Sequence, residues 1–174
     1  MMTGNQVKPA GQPPTSLQQR LAQHFQPDDL KSEPLRRLHA DWFQLRVGCR
    51  IPDYRRFDIC NFRYIVGFLS MVAVERDPWR FRYRVHASQA ARNSGKDMTR
   101  RYVDDHPSEL YRNDIQTFFI HAAQREEPTI DITHNVAIFG RMMHHEAVAL
   151  PFGDADGVVT RLAVALSTRR ILEK

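Results

Sequence analysis

Apolar positions along this chain follow two different periods. In the first third they recur at steps of three and four: Leu17, Leu21 and Phe25 behind Ser16, then Leu35, Leu38, Trp42 and Leu45. That spacing lines one face of a helix. It predicts a short helix capped by Ser16 and a second helix of about three turns ending near Gly48. The second helix is too short to stand alone in water. Its stripe must pack on its own domain or on a second copy of the chain, which makes Leu35, Leu38, Trp42 and Leu45 a candidate dimer or partner helix. Residues 50–65 keep neither period. Pro52 opens them, and Phe57, Ile59, Phe62 and Ile65 fit a helical turn or an irregular cover.

Beyond residue 68 the period falls to two. Residues 69–75 read as a strand, Asp77-Pro78 as a turn, and Trp79, Phe81, Tyr83 and Val85 then alternate with Arg80, Arg82, Arg84 and His86. Two strands joined by a tight turn make a hairpin. Residues 88–93 suit a short helix stopped by Gly95. A longer helix is expected to begin with Pro107 in its first turn. It carries Tyr111, Ile115, Phe118, Phe119 and Ala122 on one face and ends at Glu126-Glu127-Pro128. Strands over 129–138, 142–152 and 158–167 close the chain, separated by Phe139-Gly140-Arg141 and by the turn-rich Gly153-Asp154-Ala155-Asp156-Gly157. This order predicts an α+β fold, a mainly antiparallel sheet with helices on one face. Residues 1–15, with three prolines and two glycines, read as a flexible tail. Residues 16–49 form an N-terminal helical extension and residues 50–170 the domain proper.

Composition narrows the function. The 174 residues are 42% hydrophobic and 26% charged, ordinary for a folded domain. The longest apolar run, 65–74, is broken by Gly67 and Ser70 and falls short of a bilayer span. With no apolar signal core at the N-terminus, a cytoplasmic location is expected. Cys49 and Cys60 are not spaced as a CxxC pair and read as free thiols, buried or partly buried. The net charge of +5 permits anionic partners. Its arginine pairs (36-37, 55-56, 100-101, 169-170) are dispersed, which favours a solvated surface over a nucleic-acid groove.

Several stretches resemble a PAS domain, and more narrowly the single-domain bacterial PAS family. They are Trp42-Phe43-Gln44-Leu45-Arg46-Val47-Gly48 followed by Arg50-Ile51-Pro52, then Arg80-Phe81-Arg82-Tyr83-Arg84-Val85. After these come Ser94-Gly95-Lys96-Asp97-Met98-Thr99-Arg100-Arg101-Tyr102 and Ala149-Leu150-Pro151-Phe152 with the turn beyond it. Together they span roughly residues 35–170, in the family's order. Two positions depart from the pattern: Ala87 and Arg100 stand where small glycines are usual. A positive φ at Arg100 would strain it. The resemblance implies a five-stranded sheet in the order 2-1-5-4-3, helices over one face and often a small-molecule pocket. It implies a sensory or signalling module that acts by binding a ligand, a second copy or a protein partner, and not an enzyme.

Candidate chemistry is sparse. No nucleophile, base and orienting group assemble from the sequence, and no phosphate-cradling loop, HExxH or zinc pattern is present. His144 and Glu146 share a strand face, but two ligands make no metal site, and polar residues on an exposed strand face are the simpler reading. His121, at the edge of the long helix's apolar face, is the residue type that holds haem iron on a helix. Neither haem nor flavin is otherwise supported, since neither cysteine lies in the helical stretch after the second strand. Arg84 and His86 would face an anionic ligand if their row lined the sheet's inner face. Alternation favours the Trp79–Val85 row there instead. Phe118, His134, Met143 and His145 complete the candidate pocket residues.

Overall fold

A computed structural model describes residues 16–138 and 141–170; the expected tail 1–15 and Phe139-Gly140 of the third link lie outside the described residues. Helices α1 (Leu17–Leu21) and α2 (Glu33–Leu45) precede strands β1 (Leu69–Glu75) and β2 (Arg80–Val85), and helices α3 (Ser88–Ser94) and α4 (Glu109–Arg125) precede strands β3 (Thr129–Ile138), β4 (Arg141–Gly153) and β5 (Val159–Arg170). All neighbours pair antiparallel, in the order β2-β1-β5-β4-β3. This is the α+β architecture expected, with an N-terminal helical extension.

Register decides what each face buries, because residues directly opposite one another in an antiparallel pair share a face. Tyr83 lies opposite Val72, Val72 opposite Leu162, and Leu162 opposite Pro151. This face receives α4, whose Phe119 packs edge-on against Phe81 and Tyr83 with ring centroids 5.4 and 6.1 Å away. The opposite face carries Leu150, Phe152, Met71 and Ala163. Over it lie two 3-10 turns, Tyr54–Arg56 and Ile59–Ile65, so the ambiguous stretch is an irregular cover. Phe57 stacks on Phe62 and meets Phe152 edge-on.

The N-terminal extension is a strap around the outer strand β3. Ser16 caps α1 through a reciprocal pair with Gln19. From α1, Arg20 grips Asp131 of β3 with two bonds of 2.6 and 3.1 Å on the α4 face. The chain then crosses the strand through a 3-10 turn at Pro27–Asp29 and lands on the other face. There Lys31 and Ser32 donate their backbone N–H groups to the carboxylate of Glu146, at 2.7 and 2.9 Å. Helix α2 follows, with Leu35, Leu38 and Trp42 buried and Leu45 partly so. Trp42 Nε1 donates to the Pro151 carbonyl at 2.7 Å. Of the two covers open to this stripe, the structure shows the chain's own sheet. The other outer strand, β2, is closed by residues 100–102: Tyr83 exchanges backbone bonds with Arg100 and Arg101, and Tyr102 bridges to Arg82.

Some local expectations change. Pro107 stands ahead of α4, whose N-cap is Ser108. Arg100 does take a positive φ, +66°, and its N–H bond to the Tyr83 carbonyl at 2.7 Å holds that strained backbone. Ala87 has an ordinary φ of −56° and has no need of glycine. Both cysteines are exposed, because Cys49 follows the left-handed Gly48 out of α2 and Cys60 lies on the outer side of its 3-10 turn.

Candidate functional site

A cleft of about 440 Å3 lies where the strap, α2, the end of α4 and the start of β3 meet. It forms because the strap leaves α1 on one face of the sheet and re-enters on the other, so the crossing segment cannot fill the corner it spans. Leu21, Phe25 and Pro27 line the strap side. Helix α2 contributes His39, Trp42, Phe43 and Arg46, three and four residues apart and therefore on one face. Helix α4 faces them with His121 and Arg125, one turn apart, and Thr129 and Ile130 form the floor.

The lining alternates rings and cations. His39 and Phe43 meet at 5.1 Å, and the Arg46 guanidinium lies 5.4 and 5.5 Å from the Trp42 and Phe43 rings, within cation–π range. Arg50 pairs with Glu126 at 3.0 Å and Arg125 with Glu127 at 3.3 Å. Burial lowers the pKa of both His39 and His121; at His121 the charge of Arg125 and nearby His24 add to the effect. These imidazoles are therefore neutral near pH 7. His121 Nδ1 stands 3.3 Å from the Thr129 hydroxyl. The arrangement offers mutually tilted rings for an apolar ligand face and, with Arg46, Arg50 and Arg125 set against the carboxylates of Glu126 and Glu127, one guanidinium in excess for an acidic group.

The sequence candidates scatter over the molecule. His121 lines the cleft. Phe118 is core beneath α4. Arg84 points to solvent, whereas His86, in the same row, is buried. The alternation breaks after Tyr83: Val85 is 52% exposed, and the β1–β2 register shifts between Met71 and Val72. Arg84 and His86 therefore do not converge on one ligand. His134 is exposed, while Met143 and His145 are half-buried. Burial lowers the His145 pKa, against the opposing charge of Asp131.

His144 and Glu146 do share a face, but not an exposed one. Glu146 has no solvent exposure, and His144 Nε2 lies 2.8 Å from its carboxylate. His134 Nδ1 continues the chain, 2.9 Å from His144 Nδ1. The strap buries this row, which strand periodicity alone leaves open to solvent. His39 and Arg46 were missed for a related reason. Their signal is a second, weaker stripe on α2 (His39, Phe43, Arg46) that the strong Leu35–Leu45 stripe overshadows. Among the described residues no group of three or more His, Cys, Asp or Glu could hold a metal ion, and no helix is long and apolar enough to cross a membrane. Compared with models of known families, with curated proteins and with solved structures, the chain matches none.

Proposed function

We propose that this chain is a non-catalytic sensory module of PAS type that binds a small ligand at the strap cleft and reports its occupancy to a protein partner. The reading is supported by the sheet order β2-β1-β5-β4-β3, compatible with the resemblance read from the sequence. One observation carries it: the 440 Å3 cleft is assembled from separate elements, strap, α2, α4 and β3. A ligand there touches both the strap and the sheet. It stabilises whichever strap position it fits better, which is the requirement for a ligand to shift a population. With rings in its lining and Arg46 left in excess after Glu126 and Glu127 pair with Arg50 and Arg125, the cleft favours an aromatic acid over an aromatic base.

The test uses Trp42 as reporter in a Trp79→Phe background. Benzoate is expected to quench Trp42 fluorescence saturably and to raise the melting temperature. Benzylamine at equal ionic strength should do neither, and Arg46→Gln should abolish the benzoate response. No saturable quench and no melting shift with benzoate would overturn the ligand-binding reading.

A second reading is favoured by the filled interior between the sheet and α4, where Phe81, Tyr83, Phe118 and Phe119 are buried in contact. On that reading the module is a ligand-free interaction scaffold. Its exposed Phe43 and Val47, at the end of α2, would seat a second copy or a signalling protein. Sedimentation of the full chain, with and without Phe43→Ser, separates the two: a dimer lost on substitution supports the scaffold.

A further inference from the structure

Away from the cleft, four rings form a closed group between β2, the loop after α3 and the start of α4. His86 packs on Tyr83 at 4.5 Å and His106 stacks on Tyr111 at 4.0 Å, while the Tyr83 and Tyr111 hydroxyls meet at 3.3 Å. Both histidines are more than nine-tenths buried, at 6% and 4% exposure. Each uses Nδ1 as an acceptor: His86 from the backbone N–H of Met98 at 3.1 Å, and His106 from that of Ser108 at 3.2 Å. A neutral imidazole that accepts at Nδ1 carries its proton on Nε2. Neither Nε2 meets an acceptor in hydrogen-bond geometry, the Ser94 backbone being a further polar group beside His106, and Asn93 of α3 leaves its Nδ2 buried and unpaired as well.

The orphaned atoms are all donors. An unmet buried donor is costly, and the two imidazole donors, close enough for His106 to act on His86, ask for an acceptor. The formal charges around them lean positive: Lys96 and the Arg112 guanidinium lie beside His106, the latter bonded to the His106 carbonyl at 2.6 Å. The exposed Asp97 is the opposing charge, 3.8 Å from His86 Nδ1 and engaged with Thr99.

We propose that His86 and His106 form an interior binding site for a small monovalent oxyanion, formate- or nitrate-sized, held by two neutral Nε2–H donors. Rings packed at 4.5 and 4.0 Å favour a ligand of only a few atoms. Aromatic ligands belong at the strap cleft and would not enter. The site stands independently of the cleft; His86 was a candidate from the sequence, whereas His106 was not, since only the turn ahead of α4 brings it there.

Nitrogen-15 NMR of the histidine side chains tests it on the full chain. His86 and His106 are expected as Nε2–H tautomers at pH 7, and both Nε2–H resonances should move saturably with sodium formate but not with sodium chloride at equal ionic strength. His106→Phe should weaken the formate response of His86 at least tenfold while leaving the Trp42 response to benzoate unchanged. If that variant does not fold, Tyr111→Phe serves in its place, with a weakened formate response expected. An Nδ1–H tautomer at either residue would overturn the site. So would a formate titration that moves neither resonance, with water cross-peaks at both Nε2–H protons showing a buried water only. Failure of benzoate binding at Trp42 with formate binding intact would remove the cleft reading and leave this one standing.

Discussion

A carboxylate out of reach of solvent must be satisfied by protein groups, and Glu146 is met by the amides of Lys31 and Ser32, by His144, and at 3.8 Å by Arg169. Burial raises its pKa, but these hydrogen bonds outweigh burial and hold it below the usual carboxyl value of 4.5. With the folded value depressed, its contribution to stability is complete above about pH 4.5. It is lost as pH falls through the folded value. Glu146→Gln should cost about 1–3 kcal/mol in urea unfolding at pH 7 and flatten the acid limb of the stability profile. His86 acts in the same direction by a different route. Burial chiefly lowers its pKa from 6.5 to about 4. Between those values the unfolded chain takes up a proton that the folded chain refuses. Stability therefore falls as pH drops through that window, by up to about 1.4 kcal/mol per pH unit, and levels off below it. His86→Phe should remove that slope in urea titrations between pH 4 and 6.5.

At the scale of elements, the strap and α2 carry much of the burial on one face of the sheet. Leu38 is 1% exposed. Leu38→Ala should destabilise the chain by about 2–5 kcal/mol through the cavity it leaves, read from the denaturation midpoint. Trp42→Phe loses the bond to the Pro151 carbonyl and should cost about 1–2 kcal/mol. If α2 serves the monomer alone, neither change should alter the sedimenting mass. The elements themselves were legible because period three-to-four and period two are strong local signals. The Trp79–Val85 alternation put Phe81 and Tyr83 on the buried face correctly. It failed at Val85 and His86 because a register shift in the neighbouring strand turns the end of β2, and no local pattern records a partner's irregularity. The same limit hid the burial of Glu146, whose cover comes from residues 31 and 32, more than a hundred positions away.

For the whole molecule, hairpin links and the need to leave few open edges pointed to one mainly antiparallel sheet, while the strand order was implied by the resemblance alone. The cleft was not legible, because it is a gap between residues 21–50 and 121–130 created by the path of the strap. Its occupant should make the molecule more cooperative. A ligand at a hundred times its dissociation constant adds about 2.7 kcal/mol, and limited proteolysis within residues 22–32 should slow in proportion if the strap must lift for cleavage.

The strap has one more consequence. Held down by Arg20 on one side and by Glu146 on the other, it shields the outermost strand from solvent and from other proteins. Cutting or peeling it away would bare an unpaired rim of peptide groups, and two such molecules could zip together rim to rim. Whatever governs the strap's grip would then govern how many chains travel together.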